Sequence, residues 1–168
     1  DAILLVPLVN ELKKNGYKVT GLFTSQYNCE SIFEDTELFD SIEIKKNKIS
    51  LVLFSILNLR RFDAVFLNHF SYSKSHLALS SLFGKHIYTN YKEFTSAQSS
   101  NSIHFLEPKM DTHDALQNVF LFSTKTCLQQ LDFNLNYKPQ QKNKFNLPSD
   151  YIVIQASSAN NNAPFKNW

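Results

Sequence analysis

The feature that most constrains this chain is a rhythm: short apolar runs alternate with stretches whose apolar residues recur at helical spacing. Leu4, Leu5, Leu8, Val9 and Leu12 fall close to the 3.6-residue period of a helix, and the pattern stops at Lys13, Lys14 and Gly16. Pro7 lies inside it, so the first turn is expected to be irregular and the regular helix to begin at the proline. "YKVTGLFTS" then reads as a strand, "YNCESIFED" as a short helix and "FDSIEIKK" as a second strand. "KISLVLFSILNLRRF" is apolar at helical spacing and runs directly into a third strand, "DAVFLNHF"; "SKSHLALSSLFGK" is a helix closed by Gly84, and "HIYTN" a further strand. Helix and strand in turn predict an α/β fold, a Rossmann-like, doubly wound, mainly parallel sheet with helices on both faces.

The period lapses over "YKEFTSAQSSNSIHFLEP", read as a long polar loop. It returns in "DTHDALQNVFLFSTKTCLQQL", where Asp111 or Thr112 can cap a helix carrying Leu116, Val119, Phe120 and Phe122. "NYKPQQKNKFNLPSD" has two prolines and no period, which marks a linker. "YIVI" then reads as a strand followed by the polar loop "QASSANNNA". A doubly wound domain ordinarily opens on a strand, whereas this pattern opens on a helix and closes just after one. The expected organisation is therefore a domain over residues 1–137 whose first strand is missing, a linker over 138–150, and over 151–168 the first strand and loop of a second domain, the whole truncated at both ends.

Composition excludes several classes. With 168 residues, 43% of them hydrophobic, the chain can bury one real core. A net charge of +2, with the basic residues scattered along the sequence, argues against nucleic acid as a partner. Cys29 and Cys127 have no histidines at metal-ligand spacing and read as reduced, buried, small apolar groups. His69, His76 and His86 form no metal-ligand pattern, and His113 reads as a capping or packing histidine. Three glycines in the whole chain exclude the glycine-rich phosphate loops. "ISLVLFSILNL", broken by Ser55 and Asn58, is too short to span a bilayer and reads as core; Lys45, Lys46 and Lys48 beside it read as a solvated face.

Three stretches, taken in order, carry a resemblance. "DAILLVPLVNELKKNGYKVTGL", "RFDAVFLNHFSYSKSHLALSSLFGKHIY" and "YIVIQASSANNNAPFKNW" resemble the bacterial heptosyltransferases, glycosyltransferase family 9, whose members have the two-domain GT-B architecture; "THDALQNVFLF" is similar to a family helix that opens with a histidine. This sequence has Gln155 where the family loop usually has a histidine. The resemblance implies an inverting, metal-independent glycosyltransferase without a cofactor. It would move a sugar from a nucleotide-diphosphate donor, ADP-heptose among the candidates, to a lipid-linked acceptor of lipopolysaccharide or a related surface glycan. It also implies a cytoplasmic location, with peripheral association at the inner membrane surface, where a basic rim over Lys45, Lys46 and Lys48 would help hold an anionic acceptor. The chain by itself is expected to be inactive.

Residue roles follow from the same likeness. Asp1 matches the family's proposed general base, a role that needs a carboxylate within hydrogen-bond reach of the acceptor hydroxyl; read as a residue alone, it is an ordinary helix N-cap. Ser157, Ser158 and Lys166 match the groups that contact the donor phosphates, where hydroxyls and a cation offset charge growing on the leaving group. Asn68 and His69 close the third strand, at the edge where open parallel sheets place ligands, and are candidates for acceptor contact. Two other readings remain: a nucleotide-sugar epimerase of the same architecture, for which no paired carboxylates are placed, and a non-catalytic flavodoxin-like binding domain.

Overall fold

The computed structural model describes residues 2–23, 29–45, 47–67, 74–90, 103–107 and 112–138. The chain divides into two units, Asp1–Tyr137 and Lys138–Trp168, and every described residue but Lys138 belongs to the first.

The first helix begins as its proline dictates. A 3-10 turn over Ala2–Leu5 leads into α1, Val6–Lys14, with Pro7 in the first turn, where its missing N–H costs no helical hydrogen bond. Gly16 ends it at φ +83°, a left-handed conformation that a side chain would strain, and its N–H donates to the Lys13 carbonyl. Lys13 and Lys14 stand in the last turn, where a cation suits the helix dipole. The chain then forms β1, Thr20–Phe23, a 3-10 turn over Cys29–Ile32, and β2, Ser41–Ile44.

Next comes α2, Lys48–Leu57, started by a reciprocal cap: the Ser50 N–H donates to Asn47 Oδ1 at 2.8 Å and the Asn47 N–H donates to Ser50 Oγ at 3.3 Å. β3, Phe62–Leu67, α3, Lys74–Phe83, β4, Gly84–Thr89, β5, Ile103–Phe105, and α4, Asp114–Phe120, complete the order. Among the described residues all three strand pairings are parallel, as the alternation of helix and strand requires, and the strands form two small sheets, β1-β2 and β3-β4-β5, instead of one.

Helices cover both faces of the three-stranded sheet. Leu77 of α3 packs with Val65, Leu67, Ile87 and Ile103 on one face. Phe66, which alternates to the other face, joins Leu8 and Leu12 of α1 and Val119 of α4. A second flank of α1 turns Val6 and Val9 into a separate cluster with Phe23, Phe33, Leu38 and Ile42 around the two-stranded sheet. Asn10, buried in the same helix, donates through Nδ2 to the carbonyls of Asp132 and Asn134, each at 2.9 Å, and so ties the segment after α4 back to α1. The Lys14–Asp132 ion pair at 3.1 Å and the Thr36–Tyr137 bridge hold the same segment.

Several local expectations are corrected. "YNCESIFED" holds a 3-10 turn and not an α-helix. β5 lies inside the stretch read as loop, because pairing with the edge of β4 outweighs the absence of a local period. His113, not Asp111 or Thr112, is the N-cap of α4; its Nδ1 accepts from the Ala115 N–H at 3.2 Å, and the helix stops at Phe120. Gly84 does not close α3 but opens β4, paired with Phe62, and the site is crowded: a Cβ would sit 2.6 Å from Val65 Cγ2 and 2.8 Å from Ile87 Cδ1. Cys127 is exposed, not buried. Lys45 is half-buried, ion-paired with Glu43 at 2.7 Å and set 4.9 Å above the Phe54 ring, not freely solvated. Only Leu51, Phe54 and Ser55 of α2 are buried, so that helix is core on one side alone.

Gly84→Ala is expected to lower stability by about 1–3 kcal/mol through overpacking, seen as a lower denaturant midpoint at unchanged slope. Asp132 titrates below the ordinary carboxylate value because the Asn134 N–H, and after it Lys14, favour its charged form. A depressed carboxylate stabilises above its unfolded value of about 3.9 and loses that contribution as pH falls through its folded value. The stability advantage of the native chain over Asp132→Asn is therefore expected at pH 6 and to vanish on acidification below about pH 4, measured by urea unfolding across that range.

Candidate functional site

In open parallel α/β folds the helices return the chain to the amino edge of the sheet, so ligands collect at the carboxyl ends of the strands. The carboxyl end of β4 is Thr89 followed by Asn90, both buried. Its backbone is paired, since the Leu106 N–H donates to the Thr89 carbonyl at 2.9 Å beside the end of β5. The Asn90 side chain is not. It is 3% exposed, and neither its Nδ2 nor its Oδ1 has a hydrogen-bond partner among the described residues.

A second buried asparagine with an unsatisfied atom stands on α4. Asn118 Nδ2 donates to the Leu4 carbonyl at 3.1 Å, which fixes the 3-10 turn that leads into α1, while its Oδ1 has no partner among the described residues. Among the described residues the remaining buried side-chain atom without a partner is Glu30 Oε2, in the turn that follows β1. Leaving a buried amide unpaired costs on the order of 1–3 kcal/mol per group, so each such group calls for a use. A carboxamide offers one acceptor and two donors, the complement of a hydroxyl-rich or amide-bearing ligand.

One sheet face carries a different arrangement. In register across β3, β4 and β5, Phe66 stacks on Tyr88 at 5.1 Å and Tyr88 on His104 at 4.7 Å between ring centroids. The exposed His86, on the same face of β4, has its Nδ1 3.1 Å from His104 Nε2, so one imidazole donates and the other accepts. The stacked faces are occupied by one another, which makes this a sheet-stabilising ladder. Among the described residues no three histidine, cysteine or carboxylate side chains gather in a way that could hold a metal.

The residues singled out from the sequence are placed as follows. Asp1, Asn68, His69, Ser157, Ser158 and Lys166 all lie outside the described residues. Asp1 immediately precedes the turn that Asn118 holds, and Asn68 immediately follows β3. His113 is a cap. Asn90, Asn118 and Glu30 were missed. For Asn90 a signal existed: the polar pair Thr89-Asn90 directly follows Ile87 and Tyr88 at the end of a strand. For Asn118 it was a lone amide on the apolar side of a helix. No family model, no curated protein and no solved structure matches this chain, and no helix among the described residues is long and apolar enough to cross a membrane.

Because leucine resembles asparagine in size but carries no polar atom to strand, Asn90→Leu is expected to stabilise the unliganded chain by about 1–2 kcal/mol. Chemical denaturation checks it: a loss of stability instead would mean that the Asn90 amide is paired in solution.

Proposed function

We propose that this chain forms the acceptor-side part of an inverting glycosyltransferase that uses a nucleotide-diphosphate sugar donor and a lipid-linked surface-glycan acceptor. The observation that carries the reading is the Asn90 amide, buried, unpaired and stationed at the carboxyl end of a parallel strand. A sugar hydroxyl both donates and accepts, and one carboxamide satisfies both demands. The parallel α/β architecture and the ordered resemblance to glycosyltransferase family 9 over three stretches support it further.

In this reading Asp1 takes the proton from the acceptor hydroxyl as that oxygen attacks the anomeric carbon, while the nucleotide diphosphate leaves from the opposite face. The turn after Asp1 is held by Asn118, so this buried amide would set where the base stands. Ser157, Ser158 and Lys166 would meet the donor phosphates, with Lys166 offsetting the charge that grows on them. Asn90, together with Asn68 and His69 after the neighbouring strand, would receive the acceptor.

The test is calorimetric titration of the complete two-domain protein that this reading implies, in chelator, with a panel of nucleotide-diphosphate sugars and, separately, with delipidated heptose-containing core oligosaccharide. Lys166→Ala is expected to weaken donor binding by roughly tenfold or more, the worth of one charge-assisted hydrogen bond. Asn90→Leu is expected to abolish acceptor binding and leave donor binding unchanged. Absence of binding to every sugar ligand would overturn the reading, as would acceptor binding indifferent to Asn90.

A further inference from the structure

We propose that the outward face of α2, with the cations at its two ends, docks on the surface of an anionic lipid bilayer. The inference shares with the transferase reading a peripheral place at a membrane, but it rests on the exposed face of α2, a helix read from sequence as core, and not on that reading. α2 is apolar all round, a composition that normally means burial on all sides, yet it is buried on one side only. Leu51 and Phe54 face inward, where Phe54 meets Phe62 and Phe83. On the opposite side Ile49, Val52, Leu53, Ile56 and Leu57 recur at the i, i+3, i+4, i+7 and i+8 positions of one stripe. Leu57 is 81% exposed, Ile49 73%, Leu53 54% and Ile56 53%. Beyond the helix, Leu59 and Leu82 are exposed as well, and the Arg60 N–H donates to the Leu82 carbonyl.

Charge identifies what covers this face. Between Glu43 and Asp63 the sequence carries Lys45, Lys46, Lys48, Arg60 and Arg61 and no carboxylate. Lys45 is ion-paired with Glu43; Lys48 at one end of α2 and Arg60 and Arg61 beyond the other are exposed, the two arginines keeping their full charge while one nitrogen of each donates to a neutral oxygen, of Gly84 and of Asn58. Lys48 sits in the first helical turn, where the helix dipole disfavours a cation, so helix stability does not explain its place. A second copy of the chain would set like charges together in either orientation, because both ends of the helix are basic. The centre of the stripe holds branched aliphatics alone, without the Trp, Tyr or Arg anchors that dominate protein interfaces. Aliphatic side chains over about 15 Å of helix, bracketed by cations, match hydrocarbon below and anionic headgroups at each end.

Vesicle flotation tests this with the chain in 100 mM salt against phosphatidylcholine vesicles and against the same vesicles with one-third phosphatidylglycerol. The expected result is binding to the anionic vesicles, weak binding to the neutral ones, and release at 1 M salt. Leu53→Ser with Leu57→Ser, on the exposed side where folding is indifferent, should lower partitioning by about tenfold or more. Lys48→Glu or Arg61→Glu should lower it by roughly fivefold each on anionic vesicles and leave the neutral ones unaffected. Circular dichroism of every variant confirms the fold. No binding to anionic vesicles, or binding unchanged in the serine pair, overturns the proposal. So does lipid-independent dimerisation that the serine pair abolishes, which would assign the face to a second copy. A photoreactive residue in place of Leu57 that yields protein adducts in cells, and not lipid adducts, would assign it to a protein partner and overturn the proposal equally.

Discussion

The structure depends on the packing of α1 between two small sheets. Val6 and Val9 point into the cluster around Phe33 and Leu38 on the β1-β2 side, while Leu8 and Leu12 point into the cluster with Phe66 and Val119 on the side of β3. Val19, just beyond the helix, packs against both. Because neither sheet has enough strands to stand alone, a single helix with two apolar flanks supplies the shared core. Asn10 extends the role of α1 to the end of the unit by holding two carbonyls of the segment after α4. A nine-residue helix that starts through a proline and stops at a left-handed glycine thus organises most of the described fold.

Against that economy α2 stands out. Its inward side is well packed by aromatic contacts among Phe54, Phe62 and Phe83, and its outward side is equally apolar and open to solvent. Exposed aliphatics scattered singly need no explanation, but a continuous helical stripe of them with cations at both ends does. The same residues show why apolar content is an incomplete guide: hydrophobicity predicts that a surface will be covered, and charge around it says by what.

Where the polar residues are buried, the fold bears a cost. Asn90 and Asn118 keep three amide atoms without partners, in a chain whose net stability can be only a modest difference between large terms. Asn118 recovers part of that cost by fixing the turn before α1 through the Leu4 carbonyl; Asn90 recovers none within the described residues. Local departures of this kind concentrate where a surface meets a ligand, since a group satisfied internally has nothing left to offer.

Much of the fold was legible because its signals are local. Pro7 and Gly16 bound α1 through backbone sterics, the alternation of strands and helices imposed parallel pairing, and apolar periods located β1 to β4 and α1 to α3. What was missed needed partners from elsewhere in the chain. β5 exists because β4 has an edge to pair, and Gly84 belongs to a strand because it pairs with Phe62, at a place where Val65 and Ile87 leave no room for a Cβ. The division into two sheets, the exposure of Cys127, the pairing of Lys45 with Glu43 and the one-sided burial of α2 likewise follow from packing that no window of sequence contains. Asn90 could be read as a polar residue ending a strand, but only the tertiary structure made it a buried amide without a partner. Sequence by itself determined which segments become helix and strand, because dihedral preference and apolar period act over a few residues. Tertiary structure decided which of their side chains are covered, paired or left open, because solvent exclusion is a property of the packed whole.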